Sequence, residues 1–540
     1  MKNRIFAIIA VISCGMLTAN AAWTIGASSN GYPYELTDGT WVIGCSVNAN
    51  NEITVGCNNK NSVVAGAGNK LDLIAANNDL EGYSIVKIGQ SAFSGTEING
   101  LTIPNTVKFI ENYGFRYGVA GAVVIEEGSQ LESLGEYAFG TIYNDSRNGS
   151  PITTINLDAC KSLKIIKQYA FCKCIALTSI GTGELPASLE TIEKGAFYNC
   201  SSWRQDVFCN GRLQFVNGDT FRNTRITSLV LPNVYGAIGG YFLNNNSAIT
   251  NLVLSQDITS IGAEIISRSG NVNNLENFEP KVLPKVTSIG THFMGYAPKI
   301  KGDWEFPELV SVSGDSHFRQ TKITSFKAPK LNVIPGYIFC STSTITNAVF
   351  GSEVTSIGAT AFSGCSNLES LYPTNFTKVT SLGQEAFSSC SIYTGSLDFS
   401  KSSITSIGTK AFNYASNIPE LRFPASLTTL GQECFGRLKD ADIYFYGSRP
   451  TTFVNGGQFW SYGAKYRNNI IIFEEYVDNW TAEDTDGNYV FTPLKEVPAS
   501  EISDDYQFPK TGKVLGTIAV KGDVQWLSLF PYIPTTIIIK

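Results

Sequence analysis

Asp315-Ser316-His317 sets the three residue types of a serine hydrolase side by side. A charge relay needs them to converge in a hydrogen-bonded line from separate chain segments, whereas contiguous side chains point apart, so the tripeptide reads as an ordinary turn. The chain's two histidines, His292 and His317, each stand immediately before a phenylalanine of a repeating pattern. Stacking would bring such positions within about 5 Å, close enough to share a metal ion or to repel when protonated. Alanine usually holds the position, as at Ala92, Ala138, Ala361 and Ala386, and two polar residues tolerated in a distorted turn is the simpler reading. Cys172 and Cys174 form a C-x-C without a second pair, a weak metal signal. Asp484-Thr485-Asp486-Gly487-Asn488 has the composition of a calcium loop, but its glycine comes too early and no glutamate closes it. Residues 441–540 hold no His and no Cys. Their carboxylates, such as Glu474, Glu475, Asp484 and Asp486, are the only material for glycoside hydrolysis, and a tail of about 100 residues is small for that work. The expectation is a non-catalytic chain without a cofactor or a resident metal.

Composition agrees. Of 540 residues 43% are hydrophobic and 16% charged, too apolar for a disordered chain. The apolar residues are too dispersed for a polytopic membrane protein. A net charge of −6 argues against a nucleic-acid partner, which needs a clustered basic surface. Lys2 and Arg4, the apolar run Ile5 to Leu17 and the small-residue site Ala19-Asn20-Ala21 read as a signal peptide over residues 1–21. A secreted or cell-surface protein is expected. Val11-Ile12-Ser13-Cys14 also resembles a lipoprotein box, which would place a lipid on Cys14.

The elements that must carry any site come from a repeat. An apolar residue is followed five positions later by phenylalanine at Ile88/Phe93, Ile110/Phe115, Leu134/Phe139, Ile166/Phe171, Ile192/Phe197 and Val216/Phe221. The pattern returns at Ile334/Phe339, Ile357/Phe362, Leu382/Phe387, Ile407/Phe412 and Leu430/Phe435. Between the two groups the spacing slips: Ile238/Phe242 and Ile289/Phe293 are one residue short, Val312/Phe318 is one long, and Ile261 is followed by Ile266. About fifteen units of about 24 residues result, the period of leucine-rich-repeat solenoids. Stretches such as ITSLVLP (226–232) alternate, with Leu229 and Leu231 inward and Val230 outward, and predict one strand per unit in a curved parallel sheet roughly 70 Å long. The recurring phenylalanines predict a continuous buried aromatic spine.

The segments LETIEKGAFYNCSSW, VTSIGATAFSGCSNLESL and ITSIGTKAFNYASNI are similar to the repeats of BspA-like leucine-rich-repeat proteins, over about residues 84–440. That resemblance implies a secreted or surface protein, several relatives being adhesins toward host matrix proteins or other cells. Residues 22–83 are expected to form an N-terminal β-type cap, 441–484 a C-terminal cap, and 485–540 a small β-rich tail. Cys45 and Cys57 flank a hairpin and would suit a disulfide in an exported protein. Cys174, Cys200, Cys365 and Cys390 each follow a repeat phenylalanine by three residues, which reads as a small buried packing position.

The partner-binding candidates are outward strand residues: Val230, Val253, Glu305, Lys327, Asp398 and Arg422. Glu305/Lys327 and Asp398/Arg422 fall on neighbouring rungs, where opposite charges can pair. A mixed polar and valine surface predicts a protein partner for a monomeric binding module. The alternative is a carbohydrate-binding surface protein, with Trp203, Trp304 and Trp460 as stacking platforms if exposed. Trp304 falls on an inward strand position, which weakens it.

Overall fold

The computed structural model describes residues 22–57, 60–142, 144, 149–266, 274–390, 395–415, 417–438, 441–452, 468–473, 476, 479–480, 514–517 and 535–539. The signal peptide and Cys14 therefore lie outside the described residues, as do Trp460, Glu474, Glu475 and the acidic loop at 484–488. The chain divides into two compact units, Met1–Ile258 with Asn277–Glu279, and Thr259–Glu276 with Pro280–Lys540.

In the first unit Thr24–Ala27, Tyr34–Thr37, Val42–Val47 and Glu52–Val55 form an antiparallel ribbon. Its last strand pairs in parallel with Ser84–Ile88 and so templates the repeats. A short helix, Leu73–Asp79, starts at Asp72, whose carboxylate accepts the Ala75 N–H at 3.0 Å. From there two ladders run in parallel. One joins Ser84–Ile88, Phe109–Ile110, Ser133–Leu134, Ile165–Ile166, Thr191–Glu193 and Gln214–Val216. The other joins the alternating stretches, among them Asp206–Phe208, Ser228–Val230, Asn251–Val253 and Asn277–Glu279.

The second unit repeats the scheme. Val333–Ile334, Ser356–Ile357, Ser381–Leu382, Ser406–Ile407 and Thr429–Leu430 form one ladder. Lys301–Glu305, Lys322–Ala328, Asn347–Phe350 and Ser370–Tyr372 form part of the other. Leu397–Asp398, Glu420–Phe423, Ala441–Phe445, Asn468–Phe473 and Thr535–Ile539 form a further parallel sheet, reached through the isolated bridge Asn375–Asp398, with Val514–Thr517 antiparallel on its outside. The fold is a leucine-rich-repeat β-solenoid of about fifteen turns. Each turn carries two strands, one more than the alternation predicts. The additional strands are mostly two or three residues long, below the length at which a period of two can be read.

Between the ladders each turn passes through the phenylalanine. The residues two before and two after it take left-handed φ, as at Tyr337 (φ 54°) and Ser341 (φ 59°) around Phe339. Such φ costs a residue with a side chain roughly 1–2 kcal/mol. In return the amides of Tyr337, Phe339 and Ser341 all point at the next turn, donating to Ala359, Ala361 and Ser363. The rings behind them stack with little tilt: Phe171–Phe197 at 5.1 Å and 3°, Phe362–Phe387 at 5.1 Å and 3°.

The slipped middle repeats are corrected by the same hydrogen bonds. Met294 N–H donates to His317 O as Phe318 N–H does to Ile338 O, and left-handed His292 and Tyr296 flank Met294. Spacing five therefore holds, with Leu243, Ile266 and Met294 in the phenylalanine place and Phe242 and Phe293 one residue earlier. Entering from that neighbouring site, their rings meet the spine edge-on, Phe221–Phe242 at 86° and Phe293–Phe318 at 87°. Only Val312 to Phe318 keeps an added residue.

Turn-to-turn approach is tight at the glycine that follows several of the short strands. A Cβ on Gly383 would lie 2.4 Å from Ala359 N and 2.6 Å from Gly358 C, backbone atoms that cannot swing away. Gly383→Ala should therefore destabilise by about 1–3 kcal/mol, read as a lower denaturant midpoint; an unchanged midpoint would refute this packing.

Candidate recognition surface

The strand registers place the expected outward residues in columns. Val230 stands between Phe208 and Val253, with Glu279 next. Glu305 is followed by Lys327, Val349 and Tyr372, the last 54% exposed. Lys327 Nζ reaches Glu305 Oε1 at 2.8 Å, an exposed pair worth under about 1 kcal/mol. The second expected pair is corrected. Asp398 and Arg422 are Cα partners, yet Arg422 Nε donates to Glu420 Oε1 at 2.6 Å and Nη1 to Tyr446 Oη at 2.9 Å. Glu420 sits two residues earlier on the same strand face, about 6.6 Å along the strand and within reach of the long guanidinium side chain. Asp398 instead accepts the Ser400 N–H at 2.8 Å. The Glu420 bond holds the Arg422 guanidinium protonated, and its plane lies 4.6 Å from the Tyr444 ring.

The chemical candidates are taken up by the turns. His292 lies two before the spine position and His317 one before it, so they are not equivalent residues of successive turns as the phenylalanine spacing implied. His292 Nε2 is 3.3 Å from Asp315 Oδ1. His317 is 1% exposed and neither of its ring nitrogens makes a hydrogen bond. Burial, then the neighbouring His292, pushes its pKa down to about 4, while Asp315 and the backbone of Gly314 and Gly290 pull the other way. Asp315 thus faces His292 and gives His317 no relay hydrogen bond. Among the described residues no group of three or more His, Cys, Asp and Glu is placed to hold a metal.

Cys174, Cys200, Cys365 and Cys390 are buried and donate their thiols to the carbonyls of Phe139, Phe171, Phe339 and Phe362 in the preceding turn. Cys45 and Cys57 stand as separate thiols, and burial pushes Cys45 up to about 12. Trp203 and Trp304 are core residues, 0% and 1% exposed, which withdraws two of the three sugar platforms.

A second surface was missed. Tyrosine recurs two places before the spine residue at Tyr113, Tyr137, Tyr169, Tyr241 and Tyr337, and arginine directly after it at Arg116, Arg222 and Arg319. Tyr113, Tyr137 and Tyr169 stack at 5.7 and 5.1 Å. Arg116 lies 5.2 Å from Tyr113, and Arg222 5.9 and 4.7 Å from Tyr198 and Tyr241. The recurring Y-x-F and F-R pairs carry this signal in the sequence.

Two parallel ladders, a buried phenylalanine spine and one period throughout define a leucine-rich-repeat solenoid with an exposed, non-repeating surface. More closely, the chain belongs to the family described as BspA type leucine rich repeat region, which matches residues 80–180, 164–301, 214–343 and 332–452. Among solved structures it is similar to a leucine-rich repeat protein from Bacteroides ovatus, at 19% identity over 74% of this chain and 92% of that one, with a TM-score of 0.43. It is also similar to a leucine rich cell surface protein from Faecalibacterium prausnitzii, at 17% identity over 81% and 100% of the two chains, TM-score 0.32. The pneumococcal vaccine antigen PcpA is 15% identical over 82% and 94%, TM-score 0.29. No curated protein matches this chain. No helix among the described residues is long and apolar enough to cross a membrane.

Proposed function

We propose that this chain is an exported, non-catalytic binding protein, secreted or held at the cell surface, that recognises a protein partner through the outward columns of its repeats. The observation that supports this is the contrast between the two faces of one strand. Inward positions stay apolar from turn to turn: Trp304, Phe326, Ala348, Leu371. Their outward neighbours change character at each step: Glu305, Lys327, Val349, Tyr372. Core packing does not dictate the outward residues, and a long, varied, partly aromatic column is suited to a protein epitope. Export rests on the N-terminal sequence, and a matrix protein or another cell's surface protein is the partner the family resemblance implies.

The test is binding of the purified chain to arrayed matrix proteins and glycans. Saturable binding to at least one protein is expected. Binding to glycans alone, or silence on both arrays, would overturn the reading.

A further inference from the structure

Arg319 directly follows the spine residue Phe318. Its guanidinium lies 5.1 Å from the ring centroid of Tyr296, in the preceding turn, and 5.3 Å from that of Tyr337, in the following one. Among the described residues no carboxylate pairs with it, and its buried Nε makes no hydrogen bond. The first unit holds a related arrangement in filled form. There Arg222, directly after Phe221, lies between Tyr198 and Tyr241, and its Nη1 is 2.9 Å from Asp219 Oδ1. Asp219 stands two residues before its phenylalanine. Ser316 occupies that place in the second unit, with the same left-handed φ of 61°. One tyrosine-clamped arginine thus carries its own carboxylate, and the other has a serine in that position.

We infer that Arg319, clamped between Tyr296 and Tyr337, is a binding site for a carboxylate supplied from outside, an Asp or Glu side chain of the protein partner. The site adds a contact on the turns to the strand columns and rests on the protein-partner reading. Two rings hold the guanidinium in place before the ligand arrives, so little side-chain freedom remains to be lost. A carboxylate can then take the two-pronged hydrogen bonds that arginine offers to planar anions, and a neutral amide cannot match their charge-assisted strength.

The experiment uses the full chain with 15N-labelled arginine side chains, titrated with N-acetyl-glutamate methylamide and, in parallel, with the glutamine analogue. Arg319→Lys assigns the signal. A saturable shift of the Arg319 resonance with the glutamate compound and none with the glutamine compound is expected, while Arg222 stays still. Ser316→Asp copies the filled unit at the same φ and should weaken the glutamate compound by about tenfold or more. No saturable shift, equal shifts with both compounds, or an unchanged response in Ser316→Asp would overturn the site. Its failure is distinct from failure of the protein-partner reading: an arrayed protein bound equally by the native chain and by Arg319→Lys would sink this site alone. A saturable glutamate response beside a silent array would keep the site and sink the reading.

Discussion

Phe362→Ala should cost about 3–5 kcal/mol of stability, the range for emptying a well-packed aromatic position. Phe362 is fully buried, 5.1 Å from Phe387 at 3° and 5.6 Å from Phe339. Each solenoid turn touches only its neighbours, so no distant element can close over the cavity. Denaturant unfolding of the chain would show a markedly lower midpoint, with hydrogen exchange accelerated first in the turns around Phe339 and Phe387. Phe109→Ala is the control. That ring is 38% exposed on a short strand, and its loss should change stability by no more than about 0.5 kcal/mol. Equal shifts for the two variants would mean that the spine is not the core.

Acid should find its weak point at His317. The residue is buried without a hydrogen bond to either ring nitrogen, and burial, then the neighbouring His292, pushes its pKa down to about 4 against the opposing pull of Asp315. In the unfolded chain the same group titrates near 6.5. The folded state therefore resists the proton that the unfolded state accepts. Stability is fully present above about pH 6.5 and declines as pH falls toward 4, by about 3 kcal/mol in all. His317→Ala, which installs the residue commonest at that place in the turns, removes that dependence. The difference between native and variant unfolding free energies should tilt by about 3 kcal/mol across this interval, a comparison that cancels the carboxylates common to both. Parallel pH profiles would contradict the assignment.

The solenoid was legible because its core is written in residue types. Phe at one period, Leu-x-Leu stretches and the small residue three places after Phe follow from packing alone, and the buried thiols donating to the preceding turn give that last position its reason. In the middle repeats phenylalanine does not mark the register. Phe293 and Phe242 enter the core from the preceding position, and the backbone hydrogen bonds, which a sequence does not display, put Met294 and Leu243 in the spine. For the same reason His292 and His317 are not equivalent positions of successive turns. The surface was harder to read. Glu305 and Lys327 pair as their rungs suggest, but Arg422 turns to Glu420 and Tyr446, since same-face neighbours on one strand compete with the next rung. The tyrosine and arginine ridge was present in the letters as Y-x-F and F-R. Its members straddle the phenylalanine, on the turn and away from the alternating strand, where a period of two gives no signal.

Once the array yields a protein ligand, its affinity for a Glu305→Lys, Arg422→Glu double variant tests the strand-face account most directly, after a melting curve establishes that the variant is folded. Affinity lower by about tenfold or more is the result this account predicts, since reversing charges at a protein interface costs more than trimming them. Unchanged affinity would contradict it and move recognition away from the strands to the turns.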